Sequence, residues 1–189
     1  LGGNGDEKIP HPLAPLRQRT VPNRPLTPHE PPNPPQTHRP QTVKITELNQ
    51  RPPEIVEKLI TLWRQSVITT HTFLPKEEID IIEPDARNAL KTVQHLIITS
   101  DDNGILRAFM GIENQRLEML FVAPKSMHQG IGKKLLKYGV DKYSVNELTV
   151  NEQNKTAITF YTHFGFKTYN RTPLDEQSRP YPLLYMKLQ

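Results

Sequence analysis

From Val43 onward, apolar and polar positions fall into patterns whose period changes several times along the chain. Alternation over Val43–Leu48 predicts a short strand. Pro52-Pro53 then opens a helix, because proline is tolerated in a first helical turn. Ile55, Leu59, Leu62, Trp63 and Val67 recur at helical spacing and form one apolar stripe. The run SVITTHTFL, Ser66 to Leu74, is rich in β-branched residues and should fray that helix's end. Pro75 restarts a second helix, which Pro84 should interrupt.

The middle of the chain reads as strands. Leu96–Thr99 and Ile105–Ile112 flank Asp101-Asp102-Asn103-Gly104, whose residue types tolerate the left-handed backbone of a turn. A third strand, Arg116–Val122, stops at Ala123-Pro124. After the loop Lys125–Gln129, a helix is expected from Gly130 to Tyr143, burying Ile131, Leu135, Leu136, Val140 and Tyr143. Leu148–Val150 is a short strand, and Asn154 caps a helix carrying Ala157, Phe160, Tyr161 and Phe164. Gly165 ends it as a left-handed cap, and strands at Phe166–Asn170 and Leu183–Leu188 finish the chain. The order of elements predicts an α/β domain: a mixed sheet with helices on both faces.

Composition separates this domain, residues 43–189, from what precedes it. Residues 1–42 hold eleven of the chain's 19 prolines and no aromatic residue. Such a stretch cannot bury enough apolar surface to offset chain entropy, so it is expected to be disordered or polyproline II. Within it, Arg19, Pro22 and Pro25 fit the basic-x-x-P-x-x-P form read by SH3 domains. That gives a rival function, an adaptor acting through the tail.

The formal charge of +4 is spread thinly, without the dense basic patch and interleaved aromatics of a nucleic-acid binder. The chain has no cysteine, which excludes disulfides, thiolate metal sites and a cysteine nucleophile. No apolar run reaches the length of about 18 residues that a membrane span needs. The expected location is the cytoplasm. The oligomeric state, monomer or homodimer, stays open.

The chemistry concentrates after the third strand of the middle region. Leu120, Phe121 and Val122 lead through a loop to Gln129, Gly130, Ile131, Gly132 and Lys133 at a helix start. Backbone N–H groups there lack helical partners, and the helix dipole adds partial positive charge. Glycines let a phosphate oxygen come close, so the segment predicts a diphosphate site. Lys134 stands where a P-loop needs a hydroxyl, and Leu135 stands where a dinucleotide fingerprint needs its third glycine. Neither motif applies.

Downstream, Asn154, Ala157, Phe160, Tyr161, Gly165 and Phe166 stand in the spacing N-x-x-A-x-x-F-Y-x-x-x-G-F. Taken with the glycine segment, this resembles the coenzyme-A signature of GNAT N-acetyltransferases. The stretches around Trp63–Val67, Thr70–Leu74, Val150–Asn154 and Arg179–Leu184 further resemble small bacterial acetyltransferases of the YjaB type. The likeness covers residues 43–189 and not the tail. It implies a splayed, mostly antiparallel sheet, acetyl-CoA as cosubstrate, no metal, and a primary amine as acceptor, on a small molecule or a protein lysine. Met127 departs from the signature, which has Arg or Gln there, and His128 stands where glycine is common.

The same resemblance implies roles. Backbone groups from Leu120 to Val122 would pair with the pantetheine arm, and one N–H would polarise the thioester carbonyl. Gln129, Gly130, Ile131, Gly132, Lys133 and Asn154 would complete the coenzyme site. The amine would attack directly through a tetrahedral intermediate. Tyr161 is the candidate acid for the departing thiolate, and Glu118 or His71 the candidate base. Arg116 and Asn151 are candidates for lining the acceptor side. The alternative within the same fold is an acyl-CoA sensor that binds without turnover, which Met127 would favour.

Overall fold

The computed structural model describes residues 43–189. The proline-rich segment 1–42, with its SH3-type motif, lies outside the described residues. The elements run β1 (Lys44–Glu47), α1 (Pro53–Thr70), α2 (Lys76–Thr92), β2 (His95–Ser100), β3 (Leu106–Glu113) and β4 (Arg116–Val122). A single 3-10 turn, Pro124–Ser126, leads to α3 (Ile131–Tyr143), β5 (Glu147–Asn151), α4 (Lys155–Phe164), β6 (Phe166–Thr172) and β7 (Leu183–Leu188). One seven-stranded sheet has the order β1-β2-β3-β4-β5-β7-β6. Every neighbouring pair is antiparallel except β4 and β5. This is the mixed, mostly antiparallel α/β architecture that the pattern and the resemblance imply.

The sheet separates two cores. On one face Leu59, Leu62, Trp63, Val67 and Leu90 from α1 and α2 pack with Leu96, Ile98 and Phe109. On the other, Ile131, Leu135, Leu136 and Tyr161 from α3 and α4 pack with Met110, Ile112, Leu148 and Phe166. Within α3 the buried positions are Ile131, Leu135, Leu136 and Gly139, while Val140 and Tyr143 are only half-buried. Gly139 takes the buried place because a Cβ there would stand 3.1 Å from Met110 Cε.

Two expectations about helices are corrected. The β-branched run does not fray α1, which continues to Thr70. Ser66 and Val67 are buried against the sheet, and tertiary burial outweighs the weak propensity of such residues. The threonines adapt: Thr69 Oγ1 donates to the Gln65 carbonyl and Thr70 Oγ1 to the Ser66 carbonyl, each at 2.8 Å. Pro84 does not interrupt α2, which runs unbroken from Lys76 to Thr92. Both Pro84 and Asp80 are exposed, so the carbonyl whose helical bond proline removes is open to water.

Far from the sheet's centre, Glu47 ties β1, β2 and α3 together. Its carboxylate accepts from the Tyr143 hydroxyl and, at 3.1 Å, from Lys142 Nζ, and pairs with His95 Nδ1 at 2.8 Å. These partners, Tyr143 foremost, hold its carboxyl down at about 2. A depressed carboxyl contributes stability that is fully present above its unfolded value and is lost as pH falls toward the folded one. Wild-type stability should therefore fall between about pH 4.5 and pH 2. Glu47→Gln should flatten that part of the curve, which urea denaturation across the range will measure.

Candidate active site

The site begins where two strands part. β4 and β5 pair in parallel only at Arg116↔Glu147 and Leu117↔Leu148. Beyond that point β5 pairs with β7 alone, through Thr149, Val150 and Asn151. The cause is local to Glu118. Leu117 pairs with Ile112 and Met119 with Gly111, so Glu118 is the extra residue of a β-bulge. A bulge bends its strand and increases twist. It also shifts the alternation: Leu117 faces the α3/α4 core, Met119 the α1/α2 core, and Leu120 the α3/α4 core again.

The gap opens into a cavity of about 390 Å³ between β4, α1, α3 and α4. Of the residues singled out in the sequence, His71, Leu120, Phe121, Val122, Gly130, Ile131, Gly132, Lys133, Asn154 and Tyr161 line it. Gln129 does not; its side-chain amide donates to the Lys125 carbonyl at 2.8 Å. Glu118 is not in the wall either, standing at the bulge with Arg116 Nε 3.0 Å away. Met127, His128, Ala157 and Phe160 of the two signature segments line it too, and Ser66 and Thr70 from α1, Ser126 and Thr156 do so without having been given a role in the sequence. The spacing of Ser66, Thr70 and His71 on one helix could have indicated the first two, had the run not been read as frayed.

At the mouth, Gly130 caps α3 in the left-handed region, with φ 78° and no side-chain cap. Lys134 N–H, bonded to the Gly130 carbonyl at 3.0 Å, is the first to find a helical acceptor. The N–H groups of Ile131, Gly132 and Lys133 precede it, as the physics of a helix start requires. A Cβ on Gly132 would lie 3.6 Å from Val122 and 3.7 Å from Phe160, both in the cavity wall. His128 adopts φ 61°, a conformation glycine takes without strain.

Deeper in, the Tyr161 ring is buried, and that burial pushes its phenol well above the usual range. Asn154 Oδ1 accepts from Ala157 N–H at 3.1 Å, which caps α4. Its amide nitrogen stands 3.5 Å from His71 Nε2, and Thr70 Oγ1 lies 2.8 Å from His71 Nδ1. Burial pulls the His71 imidazole down to about 4. Burial lifts the Glu118 carboxyl, and Glu176 and Glu113 add to the rise against the pull of Arg116.

The loop joining β6 to β7, residues 173–182, is tied to the elements around the gap. Arg179 holds it to α2 through Asp85 at 3.5 Å and braces it internally on Asp175 at 2.8 Å. Pro182 accepts from Glu152 N–H at 2.8 Å, and Glu176 stands 3.8 Å from Arg116. Arg116 also donates to Thr149 Oγ1 and sits over the Tyr185 ring. Phe73 bridges His71 and Tyr181, with ring centroids 5.5 Å and 6.2 Å away. Among the described residues there is no cluster of His, Asp or Glu that could hold a metal ion, and no helix long and apolar enough to cross a membrane.

This splayed, mostly antiparallel sheet, with the start of α3 beside its gap, is the architecture that known acetyltransferases share. A family model described as "Acetyltransferase (GNAT) domain" matches residues 69–182. The chain is 34% identical over 128 residues to the peptidyl-lysine N-acetyltransferase YjaB of Salmonella typhimurium, covering 68% of this chain and 88% of that protein. Against YjaB of Escherichia coli the identity is 31%, over 68% of this chain and 86% of that one. The solution structure of apo YjaB from Escherichia coli superposes with a TM-score of 0.70 at 29% identity, covering 77% of this chain and 97% of that one. The PaiA N-acetyltransferase of Thermoplasma acidophilum, solved in complex with coenzyme A, shares the fold with a TM-score of 0.58 at 20% identity, over 78% of this chain and 99% of that one. The chain belongs to the GNAT acetyltransferase family.

Asn154 carries a structural duty that can be weighed apart from any ligand. Its side chain is the cap of α4, and loss of such a cap costs about 1 kcal/mol. Asn154→Ala should lower unfolding free energy by about that amount in urea titrations without ligand, while Asn154→Asp should retain most of it.

Proposed function

We propose that this protein transfers the acetyl group of acetyl-CoA to a primary amine, with a protein lysine as the acceptor. The observation that carries the reading is the gap between β4 and β5. It lies between a helix start bearing free N–H groups and a buried tyrosine. The fit to the cosubstrate is chemical. The N–H groups of Ile131, Gly132 and Lys133 suit a diphosphate. From Glu118 onward, the β5-facing edge of β4 has no ladder partner to compete with a pantetheine amide. The acceptor class follows from the YjaB relatives, whose names specify peptidyl-lysine.

In this reading the amine nitrogen bonds to the thioester carbon through a tetrahedral intermediate, and the carbon–sulfur bond then breaks. The thiolate takes the Tyr161 proton. Burial keeps that phenol protonated, and the same desolvation raises the proton affinity of a thiolate formed beside it. Glu118 is the better base of the two candidates. Burial lifts its carboxyl above the usual carboxylate range, whereas His71, held down at about 4, is a weak acceptor of protons. His71 lines the cavity beside Asn154 and Phe73 and positions the groups around the acceptor.

These assignments separate in kinetics. Tyr161→Phe should lower kcat by about 10²-fold or more with acetyl-CoA affinity nearly unchanged, read by coupled assay and calorimetry. Glu118→Gln should remove the acidic limb of the pH–rate profile, and His71→Gln should leave that limb in place. Full activity of Tyr161→Phe at every pH would sink the proton-donor role. Acetyl-CoA binding without amine-dependent CoA release would instead favour a sensor.

A further inference from the structure

Ser126 has no part in the chemistry above, yet its surroundings are those of a ligand group. The residue is 1% exposed and lines the cavity. Among the described residues, its Oγ is the one buried side-chain polar atom without a hydrogen-bond partner. The turn that holds it is fixed by other groups: Pro124 opens it, and Ser126 N–H bonds to the Ala123 carbonyl at 2.8 Å. The hydroxyl is therefore not needed to make the turn. A buried hydroxyl left unpaired destabilises a fold, and alanine would pack there without that penalty.

The next residue sharpens the point. Met127 lines the same cavity, and its thioether can accept weakly but cannot donate. A pantetheine–diphosphate arm offers carbonyl and phosphate oxygens, which need donors. The start of α3 supplies backbone donors close by, at Ile131, Gly132 and Lys133. Side-chain donation from the preceding loop then falls to His128, also in the cavity wall, and to Ser126, whose hydroxyl is buried with no partner of its own.

We propose that the Ser126 hydroxyl donates to an acceptor oxygen of the cosubstrate's pantetheine–diphosphate arm, the side-chain contact that Met127 cannot make. This rests on the acetyl-CoA reading given above. Titration of the full wild-type chain with CoA tests that reading by itself, since no heat of binding would refute it whatever Ser126 does. Given wild-type binding, Ser126→Ala should raise the CoA dissociation constant. A rise of about ten- to a hundredfold is expected if the oxygen belongs to a charged phosphate, and about two- to tenfold if it is a neutral carbonyl.

The same variant without ligand should melt no lower than wild type, because it loses only an unpaired hydroxyl. Its CoA-induced rise in Tm should shrink in step with the affinity. Ser126→Thr, which keeps a donor, should bind more tightly than the alanine variant. Unchanged CoA affinity in Ser126→Ala would overturn the proposal. So would a lower ligand-free Tm with affinity intact, the mark of a hydroxyl serving the fold through a buried water.

Discussion

The site depends on one broken pairing. β4 and β5 hold each other at Arg116↔Glu147 and Leu117↔Leu148 and then part. A parallel pair continued to Val122 would satisfy more backbone groups and leave no room for a ligand between them. The fold tolerates the loss because each strand remains paired on its other side, β4 with β3 and β5 with β7. Neither sheet half is left as a free ribbon, so the gap is held open by two intact ladders.

Burial within the gap acts on its titratable groups in opposite directions. Desolvation disfavours the charged form of any group. It thus keeps the Tyr161 phenol protonated and the His71 imidazole neutral. The first effect suits a proton donor, and the second removes a base. Glu118 stands outside the cavity wall beside Arg116, where burial raises its carboxyl against the pull of the guanidinium. In the mechanism proposed above, one dry environment thus sets the acid inside and the base at the edge.

Most elements were legible in the sequence because their signals are local. The Asn154 cap, the Gly165 left-handed stop and the turn at Asp101–Gly104 depend on side chains next to the backbone they shape. Long-range burial was not legible in the same way. Ser66 and Val67 belong to a helix because a sheet from elsewhere in the chain covers them, and the β-branched run pointed the other way. Pro84 survives in a helix because its side of α2 meets solvent. In the site, the glycine segment and the helix after it carried a recognisable spacing. Ser126 carried none, since a serine in a loop has no pattern until the cavity beside it is seen.

The bulge at Glu118 also makes the parting of the strands hang on one residue of backbone. Leu117 pairs with Ile112 and Met119 with Gly111, so Glu118 stands outside the count against β3. A codon deleted there would leave Met119, Leu120, Phe121 and Val122 opposite the same β3 residues and facing the same cores. What would go is the local bend and added twist of β4, at the place where it leaves β5. A side-chain exchange at Glu118 keeps the bulge and changes one carboxylate. A change of length spares the core and straightens the edge of the gap.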